Sequence, residues 1–272
     1  MSGGINGTRK PAVAGTFYPA VGDYLLAEVK NHLSGAALIK SEKVMGAISP
    51  HAGWYYSGHV AGALFGGIRV PDKVIILGPN HKGAGHVAAF DDSSGWEFPF
   101  GTVPVDGGLC DAISQKCPLI EYDSAAHAGE HSLEVIIPFL YARNADVSIA
   151  PISLYTHDKS DLAEISGAVA AAAESFGALV VASSDMSHYL PDPAARRIDR
   201  ATIKAVESMD YAALLENVKL NQGLCGAPAV AVAMESCRQN GARRAKLVKY
   251  ATSGDIEGGR DAVVGYGGFV IF

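Results

Sequence analysis

Four short apolar runs, each buried-strand-like and each separated from the next by helix-patterned sequence, constrain this chain more than any other feature. They are Val44–Ser49 (VMGAIS), Lys73–Leu77 (KVIIL), Val147–Leu154 and Ala178–Ser183 (ALVVAS). Runs that do not alternate with polar residues are expected where a strand is covered on both faces, as in a parallel sheet. Strands alternating with helices predict an α/β fold with a largely parallel central sheet flanked by helices. Helices are expected over Ser57–Phe65 and Ser132–Arg143, and from a cap at Asp158 or Ser160 to about Phe176. Two or three more are expected within Pro193–Asn217 and Ala227–Gln239. His86–Phe90 and Phe100–Val105, separated by the turn-rich DDSSG, read as an edge hairpin, and Lys246–Thr252 with Ala262–Phe272 as an antiparallel pair. No linker or low-complexity tract divides residues 1–272, so a single domain is expected.

Composition excludes several classes. With 49% hydrophobic residues the chain is not disordered, and a net charge of −6 argues against nucleic acid as a partner. The most apolar stretch, Gly167–Ala182, is interrupted by Glu174 and Ser175, so no membrane span is expected. The opening MSGGINGTRKPAVAG has no apolar leader core, and four cysteines do not make a disulfide scaffold; a cytoplasmic protein is expected.

Three of these runs end in ligand-type side chains. Pro50-His51-Ala52-Gly53-Trp54-Tyr55-Tyr56 follows the first, Gly78-Pro79-Asn80-His81-Lys82 the second, and Ser184-Asp185-Met186-Ser187-His188-Tyr189 the ALVVAS run. Ligands of open α/β sheets bind at the carboxyl ends of the strands, where these loops converge. His51 and His81 are 30 residues apart, one strand–helix–strand unit. If their strands are neighbours, about 4.8 Å apart, the two imidazoles can share an ion. Asp185 and His188 are three apart; in a helical turn the carboxylate would orient the imidazole as a general base, or both would be ligands. An aspartate that only caps a helix is the plainer alternative. Cys225 precedes an Ala/Val-rich helix with Pro228 at its start, where the helix dipole favours a thiolate suited to a metal or to nucleophilic attack. Cys110, Cys117 and Cys237 sit in ordinary helix patterns and read as inert. In His127–Glu134, the side chains of Glu130, His131 and Glu134 can support metal ligands from behind, or Ser132 can simply cap a helix. Neither a phosphate loop, an H-E-x-x-H pair nor a G-x-S-x-G elbow occurs.

Gly15-Thr16-Phe17-Tyr18-Pro19, Pro50-His51-Ala52-Gly53 with Tyr56-Ser57-Gly58, Leu77-Gly78-Pro79-Asn80-His81 and Glu130-His131-Ser132-Leu133-Glu134 together resemble the Memo family. So do Ser184–Tyr189, Cys225-Gly226, Ser253-Gly254-Asp255 and Val264-Gly265-Tyr266, in order along nearly the whole chain. The resemblance implies a fold similar to class III extradiol dioxygenases. It implies a metal held by His51, His81 and Cys225, with Asp185 and His188 beside it. In bacteria and archaea the family is the B component of the AmmeMemoRadiSam system, which implies radical-SAM and AMMECR-type partner proteins. The expected function is a redox enzyme using Fe(II) or copper on a small organic substrate. His188 would be its acid–base group, oriented by Asp185, with Trp54, Tyr55, Tyr56 and Tyr189 lining the pocket. A peptide- or phosphopeptide-binding module and a zinc-dependent hydrolase are the alternatives, since His2Cys with one open position is also a catalytic zinc arrangement.

Overall fold

The computed structural model describes residues 7–39, 43–221 and 223–272. In chain order they form α1 (Gly22–Leu33), β1 (Gly46–Ser49), α2 (Trp54–Gly66), β2 (Lys73–Pro79), β3 (Ala88–Phe90), β4 (Gly95–Phe98) and β5 (Gly101–Pro104). Then come α3 (Gly107–Ser114), β6 (Glu121–Tyr122), α4 (Ile137–Arg143), β7 (Ser148–Leu154), α5 (Lys159–Phe176), β8 (Leu179–Ser183), α6 (Asp192–Glu207) and α7 (Tyr211–Asn221). The chain closes with α8 (Ala227–Gln239), β9 (Ala245–Thr252), α9 (Gly254–Glu257) and β10 (Gly265–Ile271). Eight strands make one mostly parallel sheet in the order β6-β3-β7-β2-β8-β1-β10-β9. Its four central strands, β7, β2, β8 and β1, are mutually parallel, as the uninterrupted apolar runs require.

Alternate residues of the central strands serve opposite faces. Val74 and Ile76 of β2 pack with α1, α2 and α4, while Ile75 and Leu77 pack with α3, α5 and α8. Local signals set the element ends. The Asp158 side chain accepts from the amides of Ser160 and Asp161 to cap α5, and Gly177 ends that helix at φ 64°. No helix among the described residues is long and apolar enough to cross a membrane.

Three expectations need correction. The residues around His86–Phe90 and Phe100–Val105 do not form a hairpin with each other. β3 joins the main sheet antiparallel to β7, and β5 pairs with β4 instead. The strands leading to His51 and His81 are not neighbours, because β8 lies between β1 and β2. Helix α4 begins at Ile137 rather than Ser132, since the Ser132 amide is held by the Glu130 carboxylate outside any helix.

Candidate metal centre

β1 and β2 are two strand spacings apart, about 9.6 Å. β8 ends at Ser183, and the rings of His51 and His81 lean towards each other to a centroid distance of 5.2 Å. Cys225, immediately before α8, brings its Sγ to 3.3 Å from His51 Nε2. One donor atom from each of His51, His81 and Cys225 lies within 4.8 Å of the others. For comparison, N and S donors sharing a tetrahedral ion at about 2.1 and 2.3 Å sit roughly 3.6 Å apart.

Hydrogen bonds behind the rings decide which nitrogens face the centre. Ser183 Oγ donates its one proton to the Ser132 carbonyl (2.7 Å), so it accepts from His51 Nδ1–H (2.7 Å). That leaves the lone pair on Nε2, beside the sulfur. His81 Nδ1 lies 2.9 Å from Glu130 Oε1, and a carboxylate can only accept, so this nitrogen carries a proton and Nε2 is the one left to ligate. Burial, reinforced by His81 and His131, holds the His51 imidazole well below its ordinary pKa and keeps it neutral, as a ligand must be. Glu130 accepts from the amides of His81, His131 and Ser132 as well as from the His81 ring. Burial opposes its ionisation, but these donors outweigh burial and hold its carboxyl far below the usual range. A carboxylate so fully engaged orients ligands; it is poorly placed to be one in the second donor group, His81–Glu130–His131. Glu130→Gln is therefore expected to weaken metal affinity about 10–100-fold, read by competition with a chelator of known affinity.

Around Cys225, the Asp185 amide donates to Sγ at 3.3 Å, and Ser184 Oγ accepts from the Gly226 amide at 2.9 Å. Burial, with the Asp185 charge, pushes the free thiol up to about 12. Desolvation outweighs the helix dipole on which a depressed pKa was expected, so a thiolate here needs a cation beside it.

Several roles differ from those read in the sequence. Asp185 does not orient His188, because residues 184–189 are not helical and its carboxylate accepts from the amides of His51 (2.8 Å) and Ala52 (3.3 Å). Burial pushes that carboxyl up to about 7 against the pull of the two amides. Glu134 does not back the histidines. It is fully buried and binds Arg9, Tyr18 and the amides of Ala12 and Val13. Trp54 is not a pocket wall but core, 1% exposed, donating to the Val135 carbonyl. Tyr56 reaches Glu257, while Tyr55 and Tyr189 are exposed, so the four aromatics are not gathered into one lining. His131, by contrast, stacks on His81 at 4.9 Å and lies 5.4 Å from His51. Burial lowers its pKa, partly offset by Glu130. Three residues have roles here that the sequence does not assign them: Ser183 at the end of β8, Ser184 just after it, and Phe17, whose ring is 4.8 Å from His131. The signal for the two serines was there, as polar residues closing an apolar run.

Comparison with known proteins bears on the same motifs. A family model described as Memo-like protein matches residues 9–270. The chain belongs to the Memo family. A MEMO1 family protein from Archaeoglobus fulgidus is 40% identical over 265 residues, covering 96% of this chain and 98% of that protein. MEMO1 family proteins from Methanopyrus kandleri (35% identical, 96% of this chain, 98% of that one) and Pyrobaculum aerophilum (36%, 97% and 99%) match at similar length. The family thus spans the strand-end histidines, the 130–134 loop and Cys225 together.

Proposed function

We propose that this Memo family chain is a metal-dependent oxidoreductase, holding Fe(II) or copper through His51, His81 and Cys225 and acting on a small organic molecule. The observation that carries the reading is the convergence of one donor atom each from His51, His81 and Cys225 beyond the carboxyl ends of parallel strands, with both Nδ1 atoms engaged from behind. The donor chemistry fits: imidazole suits iron, copper and zinc, and a thiolate adds preference for softer ions. When bound, such an ion supplies one-electron chemistry and a site for a substrate oxygen.

The chain's own residues support the rest. His51 is buried, whereas the side chains of His81 and His131 are 30% and 21% exposed, so a small molecule approaches from their side. His131 and His188, both shifted by burial towards the neutral form, are available to accept a proton from an incoming hydroxyl or amine. Glu130 is committed to holding His81, and the Asp185 carboxyl to holding the His51 backbone.

Metal analysis of anaerobically purified protein tests the proposal. Wild type is expected to carry near-stoichiometric iron or copper, and His51→Ala, His81→Ala and Cys225→Ala are each expected to lose it. Wild type without either metal would overturn the redox reading. Stoichiometric zinc with ester or amide hydrolysis would replace it by the hydrolase, and peptide binding that survives chelation would replace it by the binding module.

A further inference from the structure

The loop that carries His188 is pinned along its whole length. The Ser184 amide donates to the Ser49 carbonyl, and the Met186 amide to the Gly265 carbonyl at 2.8 Å. The Gly265 amide returns a bond to the Ser187 carbonyl at 2.9 Å, and Leu190 bridges Val263. His188 directly follows Ser187 in the chain, so the Ser187 peptide sets the backbone from which the imidazole projects. The amide of Ser187 donates to Oδ1 of Asp199 at 3.0 Å.

Asp199 comes from α6 and is fully buried. Its Oδ2 accepts from the Tyr250 hydroxyl at 2.6 Å. On its other side lies Gly265, where a Cβ would stand 2.1 Å from Oδ2. Only glycine allows that approach, so the carboxylate is clamped between β9, the start of β10 and the His188 loop. Burial raises the pKa of this carboxyl, and the Tyr250 hydroxyl and the Ser187 amide, both donating to it, pull the other way. The titratable groups acting on His188 include His81 and Asp199, and His188 acts in turn on His51; Tyr189 is its ring neighbour at 5.8 Å. Asp199 contacts the Ser187 amide and the Tyr250 hydroxyl and acts on His188 electrostatically, with the Arg196 guanidinium 5.7 Å over the Tyr250 ring.

We propose that Asp199, anchored by Tyr250, is the positioning residue for His188, the role that the DMSH spacing assigned to Asp185. Its carboxylate fixes the Ser187 peptide that leads into His188 and, when ionised, favours an imidazolium there. The proposal rests on the reading of His188 as an acid–base group for its functional meaning, and its test reads His188 directly.

In the full chain, kept free of paramagnetic ions by a chelator, isotope-labelled NMR follows the His188 imidazole nitrogens and the carboxyl carbons of Asp199 and Asp185 through neutral pH. His188→Gln and Asp199→Asn assign the signals. The Asp199 carbon is expected to shift with the His188 midpoint, and Asp199→Asn to move that midpoint to lower pH, because removing the negative charge disfavours the imidazolium. Asp185→Asn is expected to move it less. An Asp185 carbon that follows His188 while Asp199 does not, or an unchanged midpoint in Asp199→Asn, would overturn the proposal. Should Asp199→Asn fail to fold, sequential backbone assignment of the wild type identifies the Asp199 and Asp185 carboxyl signals, and those two decide the matter. A chain that binds no metal still gives this readout, so its failure and the failure of the metal reading are separable.

Discussion

Glu134→Ala is expected to lower folding stability by about 3–5 kcal/mol, the cost of breaking a buried ion pair by removing one partner. The substitution leaves the Arg9 guanidinium buried, with the Glu134 contact at 2.6 Å lost and side-chain exposures of 5% and 0%. It also strands the amides of Ala12 and Val13 and the Tyr18 hydroxyl, all of which donate to the same carboxylate. Arg9 itself also donates to the carbonyls of His127 and Glu130 and lies 4.0 Å over the Trp96 ring. The pair therefore ties the N-terminal segment to the loop that carries Glu130 and His131, and metal affinity is expected to fall along with stability. Urea unfolding checks the first effect, with Glu97→Ala as the comparison. Glu97 makes an ion pair with Lys10 whose side chain is 75% exposed, and its loss is expected to matter far less because solvent already screens it. Equal losses from the two variants would contradict this account of the loop.

Gly226→Ala is the second large effect, and it acts on the centre itself. A Cβ at Gly226 would lie 2.2 Å from the Ser183 carbonyl and 2.9 Å from Ser184 Cβ, so the backbone must move away from the end of β8. That backbone adjoins Cys225, and the shift withdraws Sγ from His51 Nε2. Overpacking of this kind costs about 1–3 kcal/mol, and loss of ligand placement is expected to weaken metal binding about tenfold or more. Thermal unfolding and metal competition, run on the same preparation, separate the two effects. A variant that is destabilised yet binds metal as tightly as wild type would show that Gly226 matters for packing alone.

The sheet was legible because burial on both faces writes itself into the sequence as unbroken apolar runs, as in β2, β7 and β8. The polar residues after β1, β2 and β8 likewise mark loops that meet at the centre. What spacing could not show is which distant residue completes each polar side chain. Asp185 turns to an amide 134 residues earlier, and Glu134 to an arginine 125 residues earlier, and neither partner leaves a local trace. Strand order is hidden for the same reason: placing β8 between β1 and β2 is a tertiary choice that no local pattern encodes. Trp54 misled because it begins the WYY cluster, yet its helical phase turns it towards Tyr18 and Phe139 while Tyr55 turns to solvent.

X-ray absorption at the edge of the bound metal tests the central claim most directly. The account predicts two imidazole nitrogens at about 2.0–2.1 Å and one sulfur at about 2.3 Å, with the sulfur shell absent from Cys225→Ser. A shell of nitrogen and oxygen alone in wild type would contradict it.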